Sequence, residues 1–86
     1  MYSLRFLAAA EQDLAQLDKT VARRVIIRIR WLAANIGSVR LHRLTGDLVG
    51  LYKLRTGDYR VLFELAREKE MIVIHAIGHR RDIYQG

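Results

Sequence analysis

The 86-residue sequence predicts an α+β domain in which two helices cover one face of a twisted, mostly antiparallel four-stranded sheet, in the order β-α-α-β-β-β. Three observations predict it. The apolar period is two at the start of the chain, becomes three and four between Leu7 and Ile36, and returns to two after Leu48. Thr56-Gly57-Asp58 is a tight turn that splits the returning β region into a hairpin. The chain is too short for two cores and carries no internal repeat, low-complexity segment or linker, so residues 1–86 are read as one domain.

Tyr2 to Phe6 alternates Tyr2, Leu4 and Phe6 with Ser3 and Arg5, the pattern of a half-buried strand. Leu7, Ala10, Leu14 and Leu17 then make one apolar stripe on a short helix. Asp18 and Thr20 offer side-chain oxygens for an N-cap. Val21, Val25, Ile29, Leu32 and Ile36 form the stripe of a second helix that stops at Gly37. A loop from Gly37 to Asp47 leads to a strand over Leu48 to Arg55, the turn, and a returning strand over Tyr59 to Leu65. Ala66 to Glu70 turns the chain again. Met71 to Ile77 is a nearly unbroken apolar run suited to a central strand buried on both faces, and Gly78 ends it.

The face away from the helices is left open, and alternation says what stands on it. If Tyr59, Val61, Phe63 and Leu65 point to the helices, then Arg60, Leu62 and Glu64 point away, with Lys53 and Arg55 beside them on the partner strand. Cross-strand neighbours lie only about 5 Å apart, so these three cations repel unless an anion sits among them. Asp58 and Glu64 are the internal candidates for that anion.

Charge narrows the class of partner. Fifteen Lys and Arg against nine Asp and Glu give +6, and twelve of the fifteen are Arg, whose planar donor fork suits phosphate oxygens. Lys19 to Arg43 holds seven cations and no acid, so this stretch calls for an acidic partner, whether nucleic acid or protein. Trp31 lies among these arginines, placed either to stack on a nucleotide base or to pack against the sheet edge or an adjacent protein. The chain has no cysteine, hence no disulfide framework or thiolate metal site, and a reducing cytoplasm fits. No apolar run approaches the ~20 residues of a membrane span, and no signal peptide is expected. His42, His75 and His79 lack companions at ligand spacing, so no metal is expected, and His75 reads as a satisfied core residue. Walker and dinucleotide fingerprints are absent, and Ser3 and Ser38 have no evident base nearby. No cofactor is expected.

Gly78-His79-Arg80-Arg81-Asp82-Ile83-Tyr84 has no core to build, yet places an imidazole, two guanidinium groups and a phenol close together. Cleaving RNA from its own 2′-hydroxyl needs a base for that proton, cations for the phosphorane and an acid for the leaving 5′-oxygen. These residue types supply all three. A basic tail that caps a strand or grips a partner has the same composition.

Asp13-Leu14 and Leu17-Asp18-Lys19, then Gly50-Leu51-Tyr52-Lys53-Leu54-Arg55, Gly57-Asp58-Tyr59-Arg60-Val61 and the closing Gly78 to Tyr84 segment together resemble the RelE/ParE superfamily of type II toxins. The resemblance covers essentially the whole chain and implies the same helix-on-sheet fold. The RelE branch cuts mRNA in the ribosomal A site without metal. Carried over, Lys53 and Arg60 would orient and neutralise the scissile phosphate, Arg80 would stabilise the transition state, and Tyr84 would stack on the base or assist proton transfer. Arg55, His79 and Arg81 adjoin these as phosphate-binding candidates. Leu51 departs from the pattern of relatives with a second lysine there, so the general base is left open. The implied partners are ribosome, mRNA and a cognate antitoxin laying an acidic or amphipathic segment over the basic surface. The resemblance also admits a ParE-like inhibitor of DNA gyrase, or a degenerate toxin that only binds.

Overall fold

The structure, a computed structural model, describes residues 2–83. Strand β1 (Ser3–Phe6) leads into helix α1 (Ala8–Ala15) and helix α2 (Lys19–Ala34), followed by β2 (His42–Arg43), β3 (Tyr52–Thr56), β4 (Tyr59–Ala66) and β5 (Met71–His79). The sheet order is β1-β5-β4-β3-β2, with β1 parallel to β5 and every other pair antiparallel.

The helices form where the apolar spacing places them. Asp18 caps α2, its Oδ2 accepting from the Thr20 amide at 3.1 Å and satisfying one of the unpaired donors of the first turn. Val25, Ile29, Leu32 and Ala33 are the buried face of α2, and Ala10 that of α1. They meet Val61 and Phe63 of β4 and Ile72, Ile74 and Ile77 of β5 in one core. Burying each such Val, Leu, Ile or Phe side chain contributes about 1.5–3 kcal/mol, so these residues decide which sheet face the helices take.

Helix α1 is tied to β5 where β1 runs out. The parallel ladder ends at Phe6 opposite Ile74, which leaves the Ile77 amide without a strand beside it. Asp13 of α1 fills that place, its Oδ2 accepting from the Ile77 N–H at 3.0 Å.

The structure departs from the sequence expectation in the sheet. The sheet has five strands, because His42–Arg43 pairs with Lys53 and Tyr52; a two-residue ladder is too short to show a period. The strand expected from Leu48 begins only at Tyr52, since Gly46–Leu48 is a 3-10 turn and Gly46 and Gly50 take φ of 68° and 95°. β5 continues through Gly78 to His79, held by Arg60 and Tyr59 of β4. It is also buried on one face only: Ile72, Ile74 and Ile77 are sealed, whereas Met71, Val73, His75 and Ala76 are half-buried.

Replacing Asp13 by Ala strands the Ile77 amide and is expected to cost about 1–3 kcal/mol in urea unfolding, with Asp13→Asn, which keeps an acceptor, losing less. Equal losses for the two variants would show that the carboxamide oxygen cannot replace the carboxylate.

Candidate functional site

The open face is organised by the β3–β4 hairpin. Its two-residue loop places Gly57 at φ 61° between the paired residues Thr56 and Tyr59, the backbone of a type II′ turn, which suits glycine at its first position. The turn sets the register. Arg55 then stands opposite Arg60, Lys53 opposite Leu62, and His42 opposite Lys53. Val61 and Phe63 lie in the core with no exposed surface, and Tyr59 and Leu65 pack against it, so Arg60, Leu62 and Glu64 take the opposite face as alternation requires.

On that face Lys53 and Arg60 are half-buried and Arg55 is exposed. The Arg60 guanidinium folds toward the turn, one terminal nitrogen donating to the carbonyls of Gly57 and Tyr59 at 2.9 Å each. Its other N–H groups remain for a ligand. The acids expected among these cations are engaged elsewhere: Glu64 Oε1 lies 2.9 Å from His75 Nε2, and Asp58 Oδ1 lies 3.6 Å from Arg80 Nε. Among the described residues, no carboxylate comes within 4.0 Å of Lys53, Arg55 or Arg60. Leu62 forms the floor between them. It belongs to the outer face yet is only 3% exposed.

The tail joins the same corner. The Arg80 amide donates to the Asp58 carbonyl at 2.8 Å, bringing its exposed guanidinium to the β3–β4 turn. Gly78 stands opposite Arg60, and a Cβ there would lie 3.1 Å from Ile83 Cδ1, so the chain past β5 bends back over the open face where glycine leaves room. His79 goes the other way. It pairs with Tyr59 and meets that ring edge-on at 5.4 Å on the helix side, while its Nδ1 accepts from the Arg81 amide at 3.2 Å. The structure thus gathers Lys53, Arg55, Arg60 and Arg80, turns His79 away from them, leaves Arg81 exposed, and Tyr84 lies outside the described residues.

Two histidines on the open face escaped the sequence reading. His42 faces Lys53 from a strand too short to recognise. The apolar run around His75 predicts a core residue, but a register shift between Leu62 and Phe63 makes it the extra residue of a β-bulge and brings it beside Glu64. The alternation that put Glu64 outward was the one available signal. In the helix layer, Trp31 is 40% exposed with the Arg28 guanidinium 4.2 Å over its ring. It shares the lining of a pocket with Thr56 of β3.

Residues 4–84 match the model of a family described as the ParE toxin of the type II toxin–antitoxin system, parDE. Toxin RelG of Mycobacterium tuberculosis (strain ATCC 25618 / H37Rv) is 29% identical over 85 residues, 98% of this chain and 97% of that protein. Among solved structures, the RelBE2 toxin–antitoxin complex of M. tuberculosis superposes with a TM-score of 0.82 at 29% identity, covering 94% of this chain and 93% of that one. A chain of the archaeal RelE-RelB complex from Pyrococcus horikoshii OT3 gives 0.73 at 27%, with 94% and 97% covered. The isolated Escherichia coli RelE toxin gives 0.76 at 20%, with 92% and 84% covered, a likeness of fold.

Opposed guanidinium groups cost stability. Arg55→Gln is expected to stabilise the protein by about 0.2–1 kcal/mol at low ionic strength. The gain should fade in denaturation series as salt shortens the screening length below about 5 Å. No gain at low salt would show that Arg55 and Arg60 do not repel.

Proposed function

The chain belongs to the ParE toxin family of type II toxin–antitoxin systems, within the RelE/ParE superfamily, and we propose that it is a ribosome-dependent endoribonuclease that cleaves mRNA in the A site. One observation carries the reading: three cations crowd the open sheet face and, among the described residues, no carboxylate lies within 4.0 Å of them. A fold bears such repulsion where an anion is to bind. A backbone phosphate fits, because Arg offers several donors in a plane and Lys a point charge.

In this reading Lys53 and Arg60 hold the scissile phosphate and neutralise the charge that grows on its oxygens, and Arg80 adds a further cation from the turn. Arg55 and Arg81 grip flanking phosphates, and Tyr84 stacks on the base or assists proton transfer. The 2′-oxygen attacks phosphorus, the 5′-oxygen leaves, and a 2′,3′-cyclic phosphate remains. A cognate antitoxin would silence the protein by laying an acidic or amphipathic segment over the same basic surface. Structures of relatives in toxin–antitoxin complexes support that partner.

The family model is that of the parDE toxin, which favours a second reading, inhibition of DNA gyrase through protein contacts. Mapping transcript ends after expression separates the two: breaks within translated codons support cleavage, whereas intact mRNA with loss of supercoiling by purified gyrase supports the second reading. Arg60→Ala and Lys53→Ala are each expected to slow cleavage on programmed ribosomes by about 10²-fold or more. Undiminished cleavage by both would show that the site lies elsewhere.

A further inference from the structure

Glu64 and His75 make a 2.9 Å contact at the middle of the open face, with side chains 51% and 31% exposed. The pair sits where the sheet departs from regular pairing. Leu62 pairs with Ala76 and Phe63 with Ile74, which leaves His75 as the inserted residue. Ala76 shares the face of Leu62, and the contact with Glu64 puts the His75 ring on that face too. Two consecutive residues therefore point outward, which regular pleating forbids and a bulge allows. The ring stands on one side of the Leu62 floor and Lys53 on the other, separated by two strand spacings, about 10 Å. Side chains reaching inward from both can touch one phosphodiester lying over Leu62.

Building on the nuclease reading, we propose that His75 is the general base of the site and Glu64 the residue that positions it. The remaining groups gathered there, Lys53, Arg55, Arg60 and Arg80, are proton donors, so the cation cluster alone gives the 2′-hydroxyl nothing to lose its proton to. The tautomer that donates its Nε2–H to Glu64 leaves the lone pair on Nδ1, and no group among the described residues hydrogen-bonds that nitrogen. The other outward histidine, His42, is exposed on a two-residue edge strand and no hydrogen bond orients its ring among the described residues.

The step balances with the groups present. Nδ1 of His75 takes the 2′-hydroxyl proton as the O2′–P bond forms. The P–O5′ bond breaks on the opposite side, where the Lys53 ammonium gives the departing 5′-oxygen its proton. Products are a 2′,3′-cyclic phosphate and a 5′-hydroxyl, and exchange with water resets both side chains. Glu64 holds the imidazole in its tautomer and steadies the positive charge the ring acquires.

The test is single-turnover cleavage of mRNA on programmed ribosomes by the full chain free of antitoxin, with ribosome binding and folding measured on the same samples. His75→Ala is expected to lose about 10²–10⁴-fold in rate with binding intact and to regain cleavage as free imidazole is added. Glu64→Gln is expected to lose less. Imidazole rescue is a response that a purely structural histidine does not give, so a folded, inactive His75→Ala that ignores imidazole overturns the proposal. If His75→Ala does not fold, His75→Gln, which keeps a donor for Glu64, decides: folded, ribosome-bound and inactive supports the base, active overturns it. Cleavage by the histidine variants within about threefold of the parent, beside an inactive Lys53→Ala, removes His75 while leaving the nuclease reading standing. Absence of cleavage by the parent chain overturns both.

Discussion

Strand β4 is the constraint on which the rest of the molecule depends. It has a strand on each side, β3 and β5, and its inward residues Val61 and Phe63 are sealed beneath the helices. Because side chains alternate at every residue, sealing those two forces Arg60, Leu62 and Glu64 onto the other face. The flanking registers then align Lys53 with Leu62 and Arg55 with Arg60. The charge cluster is thus a consequence of core burial. A slip of one residue would put a guanidinium in the core and Phe63 in water, which the hydrophobic term forbids by several kcal/mol.

Electrostatics and packing therefore act against each other on the two faces. The inner face gains by burying branched aliphatic side chains, while the outer face holds like charges in adjacent positions. The two acids near enough to relieve them are occupied, Glu64 by His75 and Asp58 by Arg80. Arg60 is further held by two carbonyls of the turn, so its position is set before any ligand arrives. A row of cations in which Lys53 and Arg60 are half-buried and Arg60 is held in place suits a polyanion more than a flexible basic tail does. The other basic surface, on α2 around Trp31 and Arg28, belongs to the helix layer, where these side chains line a pocket edged by Thr56 of β3.

The helical hairpin, the β3–β4 turn and the outward set Lys53, Arg55 and Arg60 are legible in the sequence. Each rests on local rules: the stripe Val25, Ile29 and Leu32, the cap Asp18, the turn at Gly57, and strict alternation through Tyr59 to Leu65. What could not be read involves residues whose partners are distant in the chain. β2 is two residues long and exists only because β3 is beside it. The capture of the Ile77 amide by Asp13 links residues 64 positions apart. His79 fits a phosphate-binding tail by composition, yet pairing with Tyr59 carries its ring to the helix side.

The order of elements, the inward face of each and the excess of arginine were determined by the sequence alone, since periodicity, capping and charge are properties of neighbouring residues. Tertiary structure decided which acid meets which base. The apolar run of β5 conceals the bulge that brings His75 beside Glu64, because a bulge arises from the mismatch between two strands and belongs to neither. Only once both strands are in register does an imidazole that resembled core become a polar group on the face where the cations gather.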